Sequence, residues 1–426
     1  MLNASAGFRT IANIFQTLQE WVIVLGKPAH TSIRQWLCKL GLYKLNQPKN
    51  MSSKYFHIID VSVQMGRQKF VVVLGVKQQN LRNNFSPTFE QVEVLVLRPL
   101  ESCKGEVIKG ILKEAAEKTG VPLGIIADGG SELKKGTNLF REEIDVEKPL
   151  YLSDCSHKLN NYLKDELQND LMWIKFKKAS GDAVQHLKLS PIAHLASPRQ
   201  RTKERMHSSF SLIEWGLSLL EYVKSDEAKK LPVEQMNKIS WITAYEPSLI
   251  IYRNLMEICK KALDLVHSKG YSRWIACEFA KSIEDSYYIN QRCLNFFNKV
   301  KTFLAEEGVK VPDGQHYLGS SEILESIFGK FKQMEDHHSG GGLTSLVLAV
   351  PALTGEINES EIYNAMGAVS TNDLEEWLKK NMGQTFLSKR RQDLSSNKKD
   401  DNVLSEEELN EIQDLDSSEI LDVFVA

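Results

Sequence analysis

The sequence has no apolar run approaching the ~20 residues that a membrane span requires. Val22 to Leu25 is too short, and Leu343 to Leu353 is broken by Pro351. It opens without the basic segment, apolar stretch and small-residue cleavage site of a secretion signal, so a cytoplasmic protein is expected. Its six cysteines (Cys38, Cys103, Cys155, Cys259, Cys277 and Cys293) show neither CxxC pairs nor histidines at ligand spacing. That argues against zinc and against a disulfide framework, and leaves ordinary reduced thiols. Gly340-Gly341-Gly342 follows no strand and precedes no Gly-Lys-Ser, so it reads as a loop rather than a phosphate cradle. From about Asp170 to Gly314 strand signals and most glycines are missing, which points to an all-helical region.

What remains is enough for a large core: 426 residues, 42% of them hydrophobic, sufficient for two or three domains. The net charge of −2 hides an asymmetry. Ten acidic residues and no Lys or Arg lie from Asp400 onward, so the rest of the chain carries +8. Residues 1–50 alone hold six Lys or Arg against Glu20. A basic body with an acidic end fits a protein that binds a polyanion, although charge asymmetry alone does not establish one.

Phe8, Ile11, Ala12, Phe15 and Leu18 keep helical spacing, and after Pro28 a second helix runs from Thr31 to Leu40 with Gly41 as its stop. This reads either as a helix-turn-helix or as a plain helical hairpin. In the first case Thr31, Arg34, Gln35 and Lys39 face the DNA major groove while Ile33, Trp36, Leu37 and Leu40 pack inward. Residues 46–53 form a linker. Strands are then expected at 55–63, 69–76 and 91–98, a helix with the stripe Val107, Ile108, Ile111, Leu112 and Ala115, and a strand ending at Asp128. Another strand at Leu150–Leu152 leads into a helix with Leu159, Leu163 and Leu167 on one face. The order βββαβαβα describes a mixed α/β sheet and resembles the ribonuclease-H-like arrangement, which implies that the first strand and the strand after the helix lie side by side. The expected division is 1–50, a DNA-binding region; 51–168, the first part of the sheet domain; 169–315, a helical insertion; 316–385, the last helices; and 386–426, an acidic disordered tail.

Two aspartates stand out. Ile125-Ile126-Ala127-Asp128-Gly129-Gly130-Ser131 is an apolar strand delivering an acid to the rim of a sheet, with glycines that leave room for a ligand. Asp60 lies within an apolar strand, where a charge is costly to bury without a partner, and metal ions are the usual partner of clustered acids. A third carboxylate is available from the helix at 321–332, where Glu322 and Glu325 are one turn apart and Ile323, Leu324, Ile327, Phe328 and Phe331 form the apolar stripe. Glu325 is the choice here, because Lys332 then falls two turns beyond it. The basic cluster 198–205, with Arg199 and Arg201, reads either as a contact along a phosphate backbone or as a solvated helix start. Trp274 is either a core residue or a platform for a flipped base.

Asp60, Asp128 with Gly-Gly-Ser, and a helical Glu325 with Lys332 resemble the DDE transposases of bacterial insertion sequences. The helical region before the last acid, and Asp154-Cys155-Ser156-His157, resemble the insertion and the C/D-x-x-H motif of hAT-type families. The resemblance implies a ribonuclease-H-like core in which Asp60, Asp128 and Glu325 hold two Mg²⁺ or Mn²⁺ ions. It further implies that His157 contacts DNA phosphate with Asp154 positioning it, and that Lys332 meets a phosphate. The implied partners are double-stranded DNA, as terminal repeats and target, and further copies of the chain in a dimer or higher oligomer. The implied location is the nucleoid. The alternatives are another ribonuclease-H-like nuclease and a transposase-derived DNA-binding protein without activity.

Overall fold

The computed structural model describes residues 6–19, 28–63, 69–81, 84–100, 102–145, 147–199, 206–283, 290–336 and 344–382, with the single positions 390 and 394. The Gly340–Gly342 stretch, Arg201 and the acidic end from Asp400 lie outside these residues. Two helices come first, α1 (Phe8–Gln19) and α2 (His30–Asn46). The mixed α/β part follows: β1 (Tyr55–Val63), β2 (Lys69–Lys77), β3 (Val92–Leu100), α3 (Gly105–Thr119), β4 (Gly124–Ala127), α4 (Ser131–Glu142), β5 (Leu150–Ser153) and α5 (Cys155–Leu167). A run of helices comes next: α6 (Leu171–Leu187), α7 (Met206–Lys224), α8 (Val233–Asn237), α9 (Glu246–Lys269), α10 (Ile275–Ser282) and α11 (Gln291–Gly308). The described residues end with α12 (Glu322–Asp336), α13 (Ala349–Ala352), α14 (Glu359–Ala368) and α15 (Thr371–Asn381).

The five strands form one sheet in the order β3-β2-β1-β4-β5. β1 pairs antiparallel with β2 and parallel with β4, and β4 pairs parallel with β5. Strand alternation divides the apolar side chains between two faces. Ile59, Val71, Val73, Ile125 and Ala127 pack against α3 and α4 through Ile108, Ile111, Leu112, Leu133 and Phe140. Phe56, Ile58, Phe70, Val72, Ile126 and Leu152 join the larger core on the other face. α12 packs there: Phe70 meets Phe328 and Phe331 edge to face, with ring centroids 5.4 and 5.6 Å apart. The sheet is thus covered on both sides, which explains why β2 is buried along almost its whole length.

Local expectations fail where tertiary contacts decide. Gly41 does not stop α2, which continues to Asn46. A Cβ at Gly41 would stand 1.8 Å from the Leu348 carbonyl oxygen, so glycine permits the close approach of α2 to the segment before α13. Trp36, expected inside, is 45% exposed, whereas Cys38 and Leu42 are buried. Among the described residues of 273–306 the structure has α10 and α11. The described part of the apolar run, from 344 on, has a 3₁₀ turn, Ser345–Leu348, followed by the single turn of α13. All six cysteines are free. No helix among the described residues is long and apolar enough to cross a membrane.

His57, on β1, is wholly buried, and its Nε2 lies 2.9 Å from Thr119 Oγ1 at the end of α3. Burial pushes its pKa down to about 3. The unfolded chain therefore binds this proton far more readily, with an ordinary histidine value near ~6.5. The stability that depends on neutral His57 is complete above that value and is lost as the pH falls from there towards about 3. Urea midpoints measured across this window are expected to fall steeply for the wild type and to lose about one proton's worth of that slope in His57→Gln. Parallel curves for the two proteins would assign the acid sensitivity elsewhere.

Candidate active site

The sheet register brings the two aspartates together. Ile58 pairs with Ile126 and Ile59 with Ala127, so Asp60 and Asp128 are the next residues along adjacent parallel strands. Alternation turns Asp60 to the side of Ile58, the face on which α12 lies, and the charge of Asp128 in the turn after β4 reaches it. β5 extends the row. Ala127 pairs with Ser153, and the amide of Asp154 donates to the Ala127 carbonyl at 3.1 Å. Three parallel strands therefore each lead into an aspartate at one level.

These aspartates differ in what surrounds them. Asp128 is half-buried, and its Oδ1 accepts from the Gly130 amide at 2.8 Å in a turn that Gly129 makes with a φ of +83°. Asp60 accepts from the amide of Val61 at 2.6 Å. Burial raises its pKa to about 7, and the nearby charges of Asp128 and Glu325 add to the effect, while the Val61 amide and His157 oppose it. Asp154 is 1% exposed and is the N-cap of α5. It accepts from the His157 amide at 3.1 Å, from Ser156 Oγ at 2.8 Å, and from both the amide (2.9 Å) and the hydroxyl of Ser321. It joins the start of α5 to the start of α12, one turn before Glu325. Burial alone would raise the pKa of Asp154, but the bonds from His157 and Ser321 and the imidazolium charge hold it down at about 2.

His157 lies between this row and α12. Its Nδ1 is 3.2 Å from Asp154 Oδ2 and its Nε2 is 3.2 Å from Glu325 Oε1. The Asp154 contact has ion-pair distance without hydrogen-bond alignment, since Nδ1 has no aligned partner. Asp154, with help from Glu325 and Asp60, overcomes the burial penalty and raises the His157 pKa to about 9, so the ring is a cation at neutral pH. Glu322 points elsewhere: its Oε2 is 3.2 Å from Nε2 of His267, in the last turn of α9. An open cavity of about 380 Å³ between α5, α12 and the start of α7 is lined by His157, Asn160, His207, Glu322 and Glu325.

Asp60, Asp128, Asp154, His157 and Glu325 thus gather at one end of the sheet. Lys332 is exposed further along α12, and Arg199 is exposed after α6. In α2, Thr31 and Gln35 are exposed and Lys39 is half-buried. Arg34 donates from Nη2 to Ser345 Oγ at 2.9 Å, and its Nε is buried without a partner. It is used in packing α2 onto the turn before α13. Trp274 is 61% exposed and not a core residue. Sequence reasoning misses the roles of Ser321 and His267. Ser320 or Ser321 can be read as the cap of α12, but the bonds of Ser321 to Asp154 depend on a contact between residues 167 positions apart.

The donors of the cluster are carboxylate oxygens, the hard ligands that suit Mg²⁺ or Mn²⁺. Among the described residues no three His, Cys, Asp or Glu side chains stand close enough together to enclose an ion as they are arranged here. Burial is the main cause of the raised Asp60 pKa, and the charges of Asp128 and Glu325 add to it, so the set favours a neutralising positive charge beside Asp60. A further cation fits the chemistry of this set.

No protein-family model matches the chain, and no curated protein matches it.

Proposed function

We propose that this chain is a metal-dependent DNA strand-cleaving and strand-transferring enzyme of the DDE transposase type, built on a ribonuclease-H-like core. The observation that carries the reading is the placement of Asp60 and Asp128 side by side on parallel strands with Glu325 presented by α12 across from them. The adjacency of β1 and β4 supports the ribonuclease-H-like assignment. Asp60, Asp128 and Glu325 would hold the metal ions. Ions held there would supply activation of a water or a 3′-hydroxyl and stabilisation of the charge on the leaving oxygen in an in-line displacement at phosphorus.

The chain's own groups have distinct tasks in this reading. His157 carries a positive charge beside Glu325 and is 30% exposed, so it can hold a non-bridging phosphate oxygen of the scissile strand. Asp154 keeps that ring charged and turned towards the site. Gly129 and Gly130, both exposed, let the phosphate backbone approach Asp128 without a Cβ in the way. The proposed partners are double-stranded DNA, as terminal repeats and as target, and a second copy of the chain to bring two ends together.

The test is cleavage of a labelled duplex carrying the inverted repeats that flank the chain's own gene. Nicking at the repeat boundary is expected with Mg²⁺ or Mn²⁺, with complete loss in EDTA and recovery when the ion is returned. Binding without cleavage under either ion would assign the chain to transposase-derived DNA-binding proteins. Cleavage without any preference for the repeats would assign it to another ribonuclease-H-like nuclease.

A further inference from the structure

The sheet edge that bears Asp60 and Asp128 has a second flank, on the side of α3 and α4, which the chemistry above does not use. Because β2 is antiparallel to β1 and β3 to β2, Lys69 at the start of β2 and Leu100 at the end of β3 lie at this same edge, paired with each other. β1 and β2 continue beyond the level of Asp60, since Lys69 pairs with Val63 and Val72 with Asp60. Cys103, in the loop after β3, lies within electrostatic reach of Lys69, Glu132 and Asp128 together. Lys104 follows as the exposed N-cap residue of α3.

α4 completes the flank. It starts directly after Asp128-Gly129-Gly130, and the amide of Lys134 donates to the Gly130 carbonyl at 2.9 Å. Lys134 and Lys135 are both exposed. The stem of Lys135 lies over Gly105, where an added Cβ would come within 2.8 Å of its Cγ, so Lys135 is beside Lys104. The acids in this neighbourhood are already engaged: Glu132 accepts from the Gly105 amide at 2.6 Å, and Glu106 pairs with Lys109 at 2.7 Å. Lys69, Lys104, Lys134 and Lys135 form no ion pair within the described residues. The result is a strip of uncommitted ammonium groups beginning a few residues from Asp128, on the opposite flank from His157.

We infer that this strip, Lys69, Lys104, Lys134 and Lys135, is the track on which the phosphate backbone of duplex DNA lies as it leaves the carboxylate row. The inference rests on the proposed reading of that row as a DNA-processing site. Flexible lysines over an exposed glycine turn suit a sequence-independent backbone contact, because a point charge on a mobile stem follows phosphates without reading bases. Binding through them releases counterions, which makes salt dependence their signature.

The experiment is fluorescence anisotropy of a labelled duplex against the full chain, without divalent ions, over a series of salt concentrations. The triple variant Lys104→Gln, Lys134→Gln, Lys135→Gln is compared with wild type and with a control, Lys379→Gln, Lys380→Gln, on exposed positions of α15. The triple variant is expected to bind about 10- to 100-fold more weakly at low salt, and the slope of log K against log salt is expected to shrink by about 0.9 for each phosphate that the lysines no longer neutralise. The control is expected to match wild type. If the triple variant binds with wild-type affinity and slope while wild type cleaves DNA, the track is wrong and the proposed function stands. If wild type binds no duplex at all, the proposed function and the track fail together.

Discussion

An Asp154→Ala variant is expected to lose about 3–5 kcal/mol of unfolding free energy, the range for removing one partner from a buried charged network. The side chain is fully enclosed and serves four donors on two helices. Without it the Ser321 amide, the Ser156 hydroxyl and the α5 N-terminus are left buried and unsatisfied, and a charged His157 keeps only Glu325 as a close carboxylate. Urea unfolding monitored at neutral pH measures the loss. A decrease below about 1 kcal/mol would mean that water replaces the carboxylate and that the link between α5 and α12 is dispensable. The same carboxylate contributes to acid sensitivity. Its folded pKa, held down at about 2, lies below the ordinary aspartate value near ~3.9, so its contribution is complete above the latter and is lost as the pH falls towards the former. This loss begins at a pH where His57 has already yielded most of its share, and the two can be separated by His57→Gln.

Asp128→Ala and Glu325→Gln are each expected to reduce DNA cleavage by roughly 10³-fold or more while leaving duplex binding intact. Glu322→Gln is expected to change cleavage only a few-fold. The contrast follows from the directions in which the two α12 glutamates point. Glu325 meets His157 and its charge reaches Asp60, whereas Glu322 is held by His267. Single-turnover cleavage with Mn²⁺ distinguishes them. Equal loss in both glutamate variants would make the acidic pair a unit, and loss in Glu322→Gln alone would move the third acid one turn along the helix.

Much of the sheet is legible in the sequence because its signals are local. The alternation of Tyr55 to Val63, the apolar run of β2 and the Asp-Gly-Gly turn after β4 each follow from a few neighbouring residues. The adjacency of Asp60 and Asp128 is legible only through the resemblance to a ribonuclease-H-like sheet, because the order of elements alone does not say beside which strand β4 inserts. The stripe of α12 is equally clear, and the spacing to Lys332 favours Glu325 over Glu322. What escapes is set by partners distant in sequence. Gly41 looks like a helix stop until Leu348 is laid against it. Trp36 reads as an inward residue by its size, but the buried face of α2 is the one turned to residues 346–352. Read from its neighbours alone, Asp154 is a helix N-cap and His157 a surface imidazole. It is an N-cap, but one enclosed by Ser321, whose position depends on the whole helical run between them.

That dependence also orders events in time. Asp60 and Asp128 come together through strand pairings made within the first third of the chain, while Glu325 is placed only when α12 packs on Phe70 and Ser321 bonds to Asp154, 167 residues away. Contacts of such long sequence separation form late, after the loop entropy they span has been offset. A chain still emerging from the ribosome therefore carries two of the three acids for as long as α6 to α11 take to be made and packed. The last acid docks only after the helical run is in place, so on the proposed reading copies truncated before α12 would engage DNA through their lysines without being able to cut it.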